Sequence, residues 1–160
     1  MRSKRSGLHL LRLWVWWRTT QWGGSVKCEF TVAINDGRDI LRVRVFRLLK
    51  ELREYVRSEW GYAGRVYGFA PSYDTWTASG RRGREFVEVC LCEKHLEPET
   101  IAHEAMHVMA SWARRHGIDT ARLQWSKGIL VSFEEEQLCE IHSQIIHGIH
   151  KGLRQAELID

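Results

Sequence analysis

The residues best suited to chemistry lie in the run Thr100-Ile101-Ala102-His103-Glu104-Ala105-Met106-His107-Val108-Met109. His103 and His107 are four residues apart, so on an α-helix both imidazoles leave the same face. Two neutral imidazoles at that spacing can hold one zinc ion. Glu104 follows the first of them and is placed to act as general base toward an attacking water. The plainer alternative is a pair of ordinary histidines at the core edge of an amphipathic helix. The flanks favour the metal. Ile101, Ala102, Ala105, Met106, Val108 and Met109 are uncharged and small or apolar, as a buried metal-bearing helix requires.

That helix has marked ends. Pro98 suits a first helical turn, where its missing N–H costs nothing. Glu97 and Glu99 stand where the helix dipole favours negative charge. Arg114, Arg115 and His116 fall in the last turn, and Gly117 follows as a left-handed cap. The spacing therefore predicts a helix over about 98–116.

A catalytic zinc commonly takes three protein ligands and keeps one open position. Three and six residues past His107 stand Ala110 and Ala113, which cannot ligate. His116 is nine residues past His107 and so about half a turn round the helix. A third ligand must come from another element. The best source begins at Ser132-Phe133-Glu134-Glu135-Glu136. Leu138, Ile141, Ile145 and Ile149 recur at helical spacing, which predicts an amphipathic helix over about 133–153. Glu135 is in line with Leu138, Cys139, His142 and Ile146 and is the preferred ligand. Ser132-x-x-Glu135 also reads as a capping box. That use of Glu135 would pass the role to Glu134 or Glu136. Glu136-x-x-x-Glu140 offers a further pairing, a ligand with a carboxylate that orients a histidine.

With these residues in view, the chain resembles the gluzincin type of zinc peptidase. More closely it resembles the small HExxH proteins of phages and mobile elements, including the ImmA/IrrE type. The resemblance covers about residues 84–150. It implies a zincin-like domain with His103 and His107 as zinc ligands, Glu104 as base and one of Glu134, Glu135 or Glu136 as third ligand. It also implies that the strand just before the HExxH helix is a sheet edge that pairs with extended substrate. Gln137-Leu138-Cys139 departs from the Glu-Ala-Asn more common there in the ImmA/IrrE pattern.

The other segments must position this site. A chain of 160 residues is long enough for one domain with a real core. The net charge of +4 gathers at the N-terminus, in Arg2, Lys4, Arg5, Arg12 and Arg18. The remainder is near neutral, so no extended nucleic-acid footprint follows. Residues 1–24 read as a basic, Trp-rich extension ahead of the domain at 25–160. A charge-broken signal peptide and a segment lying at a membrane surface are its other readings.

Val26 to Ile34 has strand character, with Phe30, Val32 and Ile34 on one face, and Asn35-Asp36-Gly37 is a turn. From about Asp39 to Trp60 the spacing of Leu41, Val45, Leu48, Leu49, Leu52 and Val56 predicts a long helix. Arg42, Arg44, Arg47, Arg53 and Arg57 would form its solvated face. The stretch 61–83 is irregular and aromatic, with a short strand near Val66–Phe69. Its Tyr62, Tyr67, Tyr73 and Trp76 either wall the cleft or cover the core. Glu85 to Cys92 is a strand. Cys28, Cys90, Cys92 and Cys139 fit no zinc-finger spacing and read as small buried hydrophobes of a reducing cytoplasm. On the last helix, His142 follows the preferred ligand on the same stripe and is a further group that could reach the site, while His147 and His150 read as surface residues.

The expected fold is α+β: a small, mostly antiparallel sheet on a long first helix, with two C-terminal helices carrying zinc. The expected activity is zinc-dependent hydrolysis of a protein or peptide substrate. Neither nucleic acid nor membrane is an expected partner. Two other readings remain. One is a zinc-stabilised binding or regulatory module without catalysis. The other is nucleic-acid binding through the Arg-rich helix, which predicts a steep salt dependence.

Overall fold

The computed structural model describes residues 15–17, by backbone path alone, and 26–81, 83–120 and 133–160. The chain is a mixed α+β fold around one sheet of order β1-β2-β3-β5-β4. Its strands are β1 (Val15–Trp17), β2 (Val26–Ile34), β3 (Asp39–Phe46), β4 (Gly68–Phe69) and β5 (Glu85–Cys92). The helices are α1 (Leu49–Trp60), α2 (Tyr73–Ala78), α3 (Pro98–Arg115) and α4 (Phe133–Gln155). A short 3-10 turn, Glu93–His95, links β5 to α3. The β1–β2, β2–β3 and β4–β5 pairings are antiparallel and β3–β5 is parallel.

Alternation makes the sheet two-faced. Val32, Leu41, Val43, Val45, Val87, Val89 and Leu91 join Ile101, Val108, Trp112, Leu138 and Ile145 in the main core. That face is therefore covered by α3 and α4. The other face carries Phe46, Cys90 and Cys92, packed under Leu52 and Val56 of α1. α4 lies close on β2, because Gly148 and Gly152 leave no room for a Cβ against Val32 and Phe30. Small residues at such crossings let backbone meet side chain directly.

Two expectations change. The long first helix over 39–60 is instead a strand, β3, and a shorter helix, α1. In β3, Asp39, Leu41, Val43 and Val45 are buried while Ile40, Arg42 and Arg44 are only half-buried, which is period two. Arg42 and Arg44 are not a solvated helical face. They run between Glu29, Glu85 and Glu88, with Arg44 Nε at 2.7 Å from Glu29 and Arg42 Nη2 at 2.6 Å from Glu85. The sheet's larger face consequently rests on the two C-terminal helices and not on a first helix.

The strand before α3 is not an edge either. β5 is buried from Phe86 to Cys92, with β3 on one side and β4 on the other. A continuous buried run of that kind belongs to a central strand. The outer strand on this side is β4. Within the expected N-terminal extension, Val15–Trp17 is a strand paired with β2. The rest of residues 1–24 lies outside the described residues, as does Ser132 of the expected capping box.

Candidate metal centre

α3 begins and ends where its sequence dictates. Pro98 is in its first turn and Gly117 follows its last with φ +72°. Ile101, Ala105, Val108 and Trp112 are fully buried against the sheet. His103, Met106 and His107 are exposed on the other side. Glu104 lies between these faces and is 5% exposed.

The C-terminal end of α3 is fixed by one buried carboxylate. Asp39, at the start of β3, accepts hydrogen bonds from Trp112 Nε1 (2.9 Å) and Asn35 Nδ2 (2.9 Å). His116 Nε2 is 3.0 Å away and Arg115 Nε is 3.1 Å away. Burial alone would raise the Asp39 carboxyl. The donors on Asn35, Trp112 and His116, with the charge of His116, outweigh that and hold it below its ordinary value. His116 thus serves this anchor.

His103 Nε2 and His107 Nε2 are 3.2 Å apart, within hydrogen-bond distance of each other, and their rings meet edge to face at 79°. Two nitrogens each about 2 Å from a tetrahedral zinc stand about 3.3 Å apart. The pair is spaced as two ligands of one ion would be, and would hold it in place of the direct contact between the rings. Burial, and then the charge of His103, lower the His107 pKa, which favours the neutral ring that ligates. Burial pushes the Glu104 carboxyl up to about 7.

These three residues line a cleft of about 530 Å³, within the range of ligand sites. One wall is the exposed face of α3 from Glu99 to His107; the other is Tyr62 and the segment Arg65–Ala70. Tyr67 is held at this wall by its ring contact with His95 at 4.8 Å and by Arg53, 5.8 Å over the ring. Ser111 Oγ donates to Pro71 O at 3.3 Å, tying the far end of the wall to α3.

The structure places the remaining candidates on α4. Glu135 is 5% exposed and shares the buried stripe of Leu138, Ile141 and Ile145. Glu134 and Glu136 are exposed. Glu140 is exposed and accepts from Gln144 Nε2 at 3.2 Å. Among the described residues no group of three His, Cys, Asp or Glu side chains is close enough to hold one ion. His103 and His107 are brought together, and Glu135 is not joined to them in such a group. His142 Nε2 is buried and has no partner among the described residues. His147 is exposed and His150 half-buried.

All four cysteines are free thiols, and Cys139 alone is exposed. Burial pushes Cys28 up to about 11. Burial, and then the charge of Glu88, push Cys90 up as well. A raised pKa makes these two poor nucleophiles.

Of the four aromatics expected either to wall the cleft or to cover the core, Tyr62 and Tyr67 line the cleft and Trp76 is buried. Arg65 and Gly68 carried no assigned role, although a glycine inside the strand-like Val66-Tyr67-Gly68-Phe69 is itself a signal of close approach. α2 was also missed, despite Ser72, which caps it by accepting from the Thr75 N–H.

No family model, no curated protein and no solved structure matches the chain. Among the described residues, no helix is long and apolar enough to cross a membrane.

Proposed function

We propose that the protein is a zinc-dependent peptidase in which His103 and His107 hold the metal and Glu104 is the general base. The observation that carries this reading is the 3.2 Å convergence of the two Nε2 atoms, with Glu104 buried beside them in the same cleft. Glu135 is the proposed third ligand. Its burial supports it over Glu134 and Glu136, which are exposed.

Bound zinc supplies Lewis-acid polarisation of a scissile carbonyl. The protein's own groups do the rest. Glu104 takes a proton from the attacking water and returns it to the leaving amine. Burial raises the carboxyl in the metal-free chain, and a bound cation beside it would favour the ionised form that a base requires. An extended substrate would lie in the cleft between α3 and the two-residue strand β4, which is the outermost strand on that side among the described residues.

The test combines elemental analysis with cleavage of a mixture of quenched-fluorescent peptides. Wild type should hold about one zinc per chain, and His103→Ala should lose it. Glu104→Gln should keep the zinc and lose hydrolysis. Turnover at the wild-type rate in Glu104→Gln refutes the base assignment. Zinc without any zinc-dependent cleavage in wild type favours the non-catalytic binding module.

A further inference from the structure

Gly68 is one of the two residues of β4, and it pairs with Leu91 on β5. It is buried. Its backbone is outside the left-handed region, so conformation alone does not call for glycine. The neighbour that does is Glu104. A Cβ built on Gly68 would stand 2.7 Å from Glu104 Cγ, 3.0 Å from its Oε1 and 3.1 Å from its Cδ. The first of these is shorter than real carbon contacts allow. The crowded atom is Cγ, near the root of the side chain, where α3 leaves little freedom. An alanine at 68 must therefore turn Glu104 out of its seat or push β4 away from β5.

We propose that Gly68 is the positioning residue for Glu104. Its missing side chain is the recess into which the Glu104 stem folds, and this sets where the carboxylate meets the cleft. The inference rests on the peptidase reading only for what Glu104 does there. The seat itself is a matter of packing.

A double-mutant cycle on the full-length, metal-free chain reads the seat without reference to activity. In the wild-type background Gly68→Ala should lower Tm by about 2–10 °C, as overpacking does. In the Glu104→Ala background, which removes the crowded Cγ, the same change should leave Tm level or slightly raised. Equal losses in both backgrounds overturn the proposal. If Gly68→Ala alone fails to fold, recovery in Gly68→Ala/Glu104→Ala supports the proposal. Failure of both variants overturns it, because β4 would then reject a Cβ for its own reasons.

Kinetics supply the second readout. Well below its Tm, Gly68→Ala should lose about 100-fold in kcat through displacement of the base, with KM and zinc content unchanged. An undiminished kcat overturns the positioning role. A wild type that cleaves nothing refutes the peptidase reading instead, and the thermal cycle then decides whether Gly68 seats Glu104.

Discussion

Replacing Asp39 by alanine tests whether the C-terminal end of α3 is anchored as described. The Asp39 side chain is 3% exposed and faces four donors. Removing it leaves the indole N–H of Trp112, a fully buried residue, without an acceptor. An orphaned buried donor costs about 1–3 kcal/mol. Arg115 and His116 lose a charged partner, but their side chains are 24% and 34% exposed and can turn to water. Their share belongs at the low end for a broken ion pair, roughly 1 kcal/mol. The expected loss is therefore about 3 kcal/mol, a fall in Tm of roughly 6–12 °C for a chain of this size. Asp39→Asn keeps one acceptor oxygen but turns an amide NH2 toward the remaining donor, Arg115 when the oxygen stays with Trp112 and Asn35, so it should cost less than the alanine.

Urea titration measures both variants, with Cm shifting and m unchanged. The sign with pH is fixed by the direction of the shift. The native Asp39 carboxyl is held below the ordinary value of 3.8. Its contribution is therefore complete above that value and is lost as pH falls through the lower native one. The gap between wild type and Asp39→Asn should close in that acid range. A loss below about 1 kcal/mol in Asp39→Ala, or a gap that does not change with acidification, would refute the reasoning.

On α4, Glu135→Ala should lower zinc content or affinity, whereas Glu134→Ala and Glu136→Ala should leave both nearly unchanged by elemental analysis and competition with a chelator. Across the sheet, Glu88 accepts from Tyr55 Oη and Trp60 Nε1, each at 2.8 Å, and is 1% exposed. Glu88→Ala leaves both donors without this acceptor while Arg44 keeps Glu29, so equilibrium unfolding should register a loss of about 2–4 kcal/mol. Gly152→Ala drives a Cβ into the Phe30 ring. A loss of about 1–3 kcal/mol is expected in the same assay.

The long C-terminal elements were legible because their signals are local. The caps and apolar stripe of α3 lie within twenty residues, and the stripe of α4 repeats through Leu138, Ile141, Ile145 and Ile149. β3 was not legible for the opposite reason. Arg42 and Arg44 look solvated until Glu29, Glu85 and Glu88 arrive from β2 and β5. Leu41 and Val45 also happen to continue the helical spacing of α1 backwards, which hid the alternation with Val43. The site divided along the same line. His103, Glu104 and His107 sit on one helix and declare themselves by spacing. Arg65, Tyr67 and Gly68 belong to it only through the pairing of β4 with β5.

The β2–β3 turn bears on how the protein can be engineered. Asp36 and Arg38 are exposed, and hairpin tips of this kind are the usual places to insert a tag or open a new terminus. Here the tip is a junction. Gln144 of α4 accepts from the Asn35 N–H, Arg84 donates to the Gly37 carbonyl, and Ile40 N–H donates to Arg84 O. Asp39, one residue further on, gathers the end of α3. Extra residues at 36–38 would loosen both C-terminal helices and the start of β5 at once. Insertions and permuted termini are better placed at the exposed Gly80, where an added Cβ meets nothing within 4 Å.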